Sequence, residues 1–167
     1  MVVLNSAAIA HGVAASRGRA LAIAAALATG ICLTDAAQAG LGEGADSVSR
    51  DRTALRGTSD VITPMAAYDL HEITTADGNR VHEFVSRAGT VFGVAWSGRT
   101  KPDLSVLLAA HYADYLKAAA ANHFNHKVLS VNGDGFAMQI MKLPRGFVGS
   151  AHVPALLPSG TSAQEIR

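Results

Sequence analysis

Histidines offer the widest chemistry in this sequence. Six of the seven lie after residue 39: His71, His82, His111, His123, His126 and His152. An imidazole can hold a transition metal or move a proton near neutral pH, so their spacing decides whether either role is open. His123 and His126 stand three residues apart, the only local pair positioned to share an ion. A metal centre needs about three or four converging ligands, each fixed by a partner behind it. No His-Glu-x-x-His or comparable set accompanies the pair, so no metal and no cofactor is expected. His111 falls beside Tyr112 and Tyr115 on an apolar stripe. That is the setting of a core histidine bonded to a tyrosine or the backbone, not of a catalytic base.

Nucleophiles and carboxylates give little more. Ser150 and His152 are two apart and would share one face of a strand, but no third member and no oxyanion hole can be identified. Ser97 follows Trp96 at a strand end, without the Gly-x-Ser-x-Gly turn that exposes a hydrolase serine. Glu72 and Glu83 sit in neighbouring strands and could pair as carboxylates. With Arg80 and Arg87 nearby, cross-strand ion pairs are the better expectation. Asn132-Gly133-Asp134-Gly135 lacks the leading Asp and terminal Glu of a calcium loop and reads as a hairpin turn. No catalytic residue is assigned. The strongest surface candidate is Trp96-Ser97-Gly98-Arg99, because tryptophan and arginine recur at binding hot spots. Trp96 and Arg99 thus form a candidate partner-binding surface. The favoured alternative has Trp96 plugging a sheet–helix core and Arg99 solvated.

The elements that would position these residues follow from periodicity. Tyr68–Thr74, Arg80–Ser86 and Thr90–Trp96 read as strands joined by Ala76–Asn79 and Arg87–Gly89, each connection with a glycine able to take positive φ. In the second strand Val81, Glu83 and Val85 point one way, and Arg80, His82 and Phe84 the other. The third is apolar from Val91 to Trp96 and should be central. Thr100 then caps one long helix with Asp103 completing the cap, and Leu104, Leu107, Leu108, His111, Tyr112, Tyr115, Leu116 and Ala119 form its stripe. Asn122 is the expected C-cap. Lys127–Val131, Phe136–Leu143 and Phe147–Val153 supply further strands, and Ser162–Glu165 a last capped turn. Upstream, Gly40–Gly44 reads as a flexible exit, Val48–Leu55 as a short helix, and Gly57–Pro64 as a loop rich in Gly, Ser, Thr and Asp.

The first 39 residues read as an export signal. Arg17 and Arg19 form a basic edge, Ala20–Leu33 is uncharged and apolar, and Ala37-Gln38-Ala39 fits a signal-peptidase site, so cleavage falls between Ala39 and Gly40. The apolar run is shorter than the about 20 residues needed to span a bilayer, so no stable membrane span remains after cleavage. The rival reading is an uncleaved anchor. Cys32, the sole cysteine, lies in this leader. The mature chain would therefore have no disulfide and no thiolate nucleophile. It would carry a balanced charge, without the basic excess of a nucleic-acid binder.

The residues then carry a family resemblance. Val81-His82-Glu83-Phe84-Val85-Ser86, Gly89 through Gly98 with its Val-Phe-x-Val-x-Trp-x-Gly core, and Pro102-Asp103-Leu104 with Leu107-Leu108 resemble DUF2844. So do Gly146–Ala151 and Pro154–Gly160 near the end, and Ser47-Val48 with Asp51 at the start. DUF2844 comprises small exported bacterial proteins of unknown function. The sequence departs from the expected pattern at His82 (arginine), Arg99 (proline) and Ala109 (glycine). The resemblance supports the boundaries and export and implies no mechanism.

The expected organisation is a cleavable signal peptide over 1–39, an N-terminal linker with a short helix over 40–66, and an α+β domain over 67–167. That domain is expected to be an antiparallel sheet of about five or six strands with one long helix packed on one face. The expected function is that of an exported periplasmic or secreted protein, non-enzymatic, binding or supporting an unknown envelope protein or ligand. A periplasmic enzyme of unrecognised type is the alternative.

Overall fold

Short connections bearing glycine set much of the sheet. A computed structural model describes residues 40–122 and 127–167; the leader, with Cys32 and Ala39, and the His123–His126 pair lie outside the described residues. Gly78 (φ 81°) and Gly89 (φ 80°) take the left-handed conformation that their two hairpins require. They join β2 (Tyr68–Thr75), β3 (Arg80–Ser86) and β4 (Val91–Gly98). Ahead of these come α1 (Ser47–Ala54) and β1 (Gly57–Pro64). After them come α2 (Leu104–Leu108), α3 (Tyr112–Ala121), β5 (Val128–Asn132), β6 (Ala137–Leu143) and β7 (Gly146–His152). The sheet is antiparallel, in the order β1-β2-β3-β4-β7-β6-β5. Two hairpin-linked runs, β1–β4 and β5–β7, meet where β4 pairs with β7.

Among the described residues the sheet is thus seven-stranded, not five- or six-stranded. The added strand is Gly57–Pro64, the stretch expected to be a loop. An edge strand with both faces wet needs no apolar alternation, so its polar composition hid it. The Gly40–Gly44 segment is also more than a flexible exit. Leu41 is 1% exposed and inside the core, and Gly42 and Glu43 exchange backbone hydrogen bonds with Val91 (both 2.8 Å). One apolar anchor and a backbone edge suffice to seat it.

The long helix is interrupted. Thr100 does not cap it, because its hydroxyl belongs to Asn79 and Asp77; Asp103 caps α2 instead, accepting from the Ser105 N–H at 2.9 Å. Ala109 then sits at φ 47°, ψ −122°, and a 3₁₀ turn over Ala109–His111 leads into α3. The stripe is split accordingly: Leu104, Leu107, Leu108 and Tyr115 are buried, while Leu116 is 49% exposed. Asn122 caps α3 as expected.

The helix face of the sheet holds the larger core, in which Val48 of α1, its C-cap Leu55, and Leu104, Leu107 and Leu108 of α2 meet Ile73, Val81, Val85, Val94 and Trp96. The outer face holds a smaller cluster, Tyr68, Phe84, Phe92 and Ala95, closed by Ile166 from the C-terminal segment. A register shift between Phe84 and Val85 puts Phe92 and Gly93 on this same side, and a Cβ on Gly93 would lie 2.8 Å from the Ile166 side chain. Ser162 and Glu165 form the expected capping box just before it.

Two stability outcomes follow. Ala109 holds a backbone that glycine adopts freely and a Cβ resists, and glycine is the residue the resemblance led us to expect there. Ala109→Gly should raise unfolding free energy by about 1 kcal/mol in a urea titration, strain relief outweighing glycine's extra chain entropy. Trp96→Ala should lower it by about 3–5 kcal/mol, the cost of an unfilled core cavity. Native indole fluorescence should be blue-shifted and poorly quenched by iodide.

Candidate functional site

Strand alternation puts Glu83 between Val81 and Val85 on the face that α1 covers. Ser47, Asp51 and Leu55 recur at one-turn spacing along the buried side of α1. Asp51 and Glu83 are both 0% exposed. Among the described residues no N–H or O–H reaches any of their four carboxyl oxygens, and the two side chains lie close enough to act on each other. Two buried carboxyls without another donor can bond each other only when one keeps its proton and donates it. Burial, then the Asp51 charge, pushes Glu83 well above the usual carboxylate range. Burial also raises Asp51, to about 7, opposed by the bond from Glu83 and by nearby Arg50. Glu83 is therefore the donor and Asp51 the acceptor.

The surroundings are short of positive charge. His71 lies opposite Glu83 in the β2–β3 register, with Nδ1 3.4 Å from Asp60 Oδ1 of β1 but not aligned as a hydrogen bond. Arg50 is partly exposed, and its guanidinium is 3.3 Å from Asp46. Asp60 and Glu43 add negative potential. The site can hold or release a proton. Sealed at 0% exposure, it offers neither acid nor base to a substrate in this state.

Glu83 was expected to answer to Glu72 and the arginines. Instead Glu72 lies on the outer face, 3.1 Å from His82 Nε2, and Arg87 pairs with Asp69 at 2.8 Å. The signal for the buried pair was present: an acid between two valines on the helix-side face of an alternating strand. Its partner was not legible, because no spacing links residue 51 to residue 83.

The other candidates separate. Trp96 is 2% exposed within the core; Gly149 makes room for it, since a Cβ there would lie 2.4 Å from the indole. Its Nε1 has no partner. Arg99 is exposed, so the two side chains do not share a surface. Gly40 is buried against α2, where a Cβ would meet the Val106 carbonyl oxygen at 2.4 Å. Ser150 and His152 share the outer face of β7, in an open groove of about 600 Å³ with Ser130, Gln139 and Gln164. Burial pushes the His152 imidazole down, favouring its neutral form. His111 is half-buried and stacks on Phe136, ring centroids 5.0 Å apart. Among the described residues no group of three or more His, Cys, Asp or Glu is placed to hold a metal ion, and no helix is long and apolar enough to cross a membrane.

A second polar cluster is structural. Asn79, 2% exposed, donates to Asp77 (2.9 Å) and to the Thr100 hydroxyl (2.7 Å), riveting the β2–β3 turn to the segment after β4. The Thr100 and then the Thr75 hydroxyls hold the exposed Asp77 carboxyl below its usual range.

A family model described as a protein of unknown function, DUF2844, matches residues 37–166. No curated protein and no solved structure matches the chain.

The acid pair makes stability pH-dependent with a definite sign. Both carboxyls titrate higher in the folded chain than the ordinary value near 4, so above that pH the folded state binds more protons than the unfolded state. Their contribution is therefore complete below about pH 4 and is lost as pH rises through about 7 and beyond. Denaturant titrations should show stability falling from pH 5 to pH 8 by at most about 1.4 kcal/mol per pH unit for each proton of difference. Glu83→Gln, whose amide can donate to Asp51, should flatten that slope. An equal slope in the variant would rule out the shared proton.

Proposed function

The chain belongs to the DUF2844 family, and from that premise we propose a non-enzymatic binding protein of the cell envelope, exported by a cleaved leader, that takes an extended segment of a partner protein along β1. The supporting observation is the character of that edge. Among the described residues β1 has a strand neighbour, β2, on one side alone. Val61 and Ile62, on opposite faces, are 56% and 57% exposed, and Met65 just beyond the strand is 41% exposed. The strand carries one charge, Asp60, which is turned toward His71. Lysines that usually guard an exposed edge against pairing are absent from it. Such an edge binds through backbone hydrogen bonds and takes its specificity from alternate side chains.

The enzyme alternative has weaker support. Its candidate site is the open Ser150–His152 groove, and the buried Asp51 and Glu83 carboxyls lie sealed from it.

Photo-crosslinking in the producing cell tests the proposal. A benzophenone side chain at Val61 or Ile62 should give a discrete adduct that a probe at Arg99 does not. Ile62→Lys should change stability by no more than about 0.5 kcal/mol, as for an exposed site, and abolish the adduct from Val61. No adduct from β1, or an equal one from Arg99, would overturn the reading. Intact mass of the same protein should place its N-terminus at Gly40; retained Cys32 would overturn the export claim.

A further inference from the structure

We infer that Asp51 and Glu83 form a proton-operated latch: α1 stays seated on the sheet while the two carboxyls share a proton, and lifts off when that proton passes to solvent. The geometry carries this, independently of the proposal for β1. One carboxyl belongs to a short helix and the other to the sheet beneath it, so their bond is a bond between layers. Both are 0% exposed, and their four oxygens have no donor other than the proton they share. Once it is gone, two like charges face each other out of reach of water, and their repulsion acts between α1 and the sheet beneath it.

Every element packed around the pair bears on this. The N-terminal segment brings Glu43, α1 brings Asp46 and Arg50, β1 brings Asp60, and β2 brings His71. α2 has no titratable residue, and β4 places Val94 opposite Glu83. The two basic side chains are each already beside an aspartate: Arg50 is 3.3 Å from Asp46 and His71 is 3.4 Å from Asp60. Neither stands ready to neutralise a second charge.

What moves is defined by what is held. Upstream of α1, Leu41 donates to the Leu107 carbonyl at 3.0 Å and Ala45 to that of Gly89 at 2.8 Å. Downstream, the Arg56 carbonyl accepts from Ala76 at 3.2 Å, and β1 is paired to β2. Both ends stay tied, so the released piece is α1 itself. The helix has eight residues and its N-cap, Asp46, makes no side-chain capping bond. Off the sheet such a segment does not persist as a helix. Release therefore unfolds it and uncovers Val48, Leu55 and the sheet valines beneath.

Hydrogen exchange on the full chain reads this directly, with labelling times scaled for the pH dependence of intrinsic exchange. Peptides covering 47–54 should be protected at pH 5 and lose protection with rising pH, about tenfold per pH unit for each proton that the seated pair holds and the released helix does not, while β3 and β4 stay protected. Glu83→Gln and Asp51→Asn each put an amide donor where the shared proton was, and each should keep α1 protected at pH 9. The latch is overturned if wild-type α1 protection does not change between pH 5 and pH 9. It is equally overturned if α1 and the central strands lose protection together, or if both variants follow the wild-type profile. Should either variant fail to fold, the other and the wild-type profile still decide.

Discussion

Six successive residues of β4, Val91 to Trp96, are buried, and a strand apolar on both faces requires a layer on each. The rest of the structure answers that demand. On one face α1, α2 and α3 supply Val48, Leu55, Leu104, Leu107, Leu108 and Tyr115. On the other no helix among the described residues is available, and the C-terminal segment serves. Ile166 fills the space left by Gly93, Tyr68 donates to Glu165 at 3.4 Å, and His82 Nδ1 lies 3.2 Å from the Arg167 carbonyl. That cover reaches across β2, β3 and β4. Beyond it the outer face of β5–β7 remains open as the Ser150–His152 groove. The centre of the sheet is dry on both sides, and its margins are not.

Within the larger core the Asp51–Glu83 pair is the exception to apolar packing. A buried ionic group is weak evidence for stability, since well-packed apolar residues of similar volume often do as well or better. Its physical distinction is sensitivity: a buried carboxyl without a cation changes the free energy of its surroundings whenever it titrates. The Asn79–Asp77–Thr100 cluster makes the contrast. There an exposed carboxylate is satisfied by hydroxyl and amide donors, stays ionised, and simply pins a turn.

The latch and the free edge are neighbours. α1 packs against β1 and β2, and Ile62 lies on the helix-side face of β1, two residues after Asp60. Lifting α1 would widen the apolar surface next to the strand proposed to receive a partner. A proton lost from Glu83 would then be felt at the edge through the cover of the sheet rather than through a ligand contact.

Local patterns carried much of this. Val81, Glu83 and Val85 on one face, the glycines of the two hairpins, the centrality of Val91–Trp96 and the burial of Trp96 all follow from period-two alternation and turn chemistry, which act between near neighbours. The DUF2844 membership was legible in the same residues. Only the tertiary structure decided the rest. Gly57–Pro64 became a strand because β2 offered it hydrogen bonds, not because its own composition called for one. The expected long helix broke at Ala109, while Thr100 was drawn into the Asn79–Asp77 cluster. Asp51 met Glu83 because α1 folds over the sheet, against β1 and β2. Sequence determines which side chains share a face; which faces meet depends on contacts distant along the chain, and no periodicity records them.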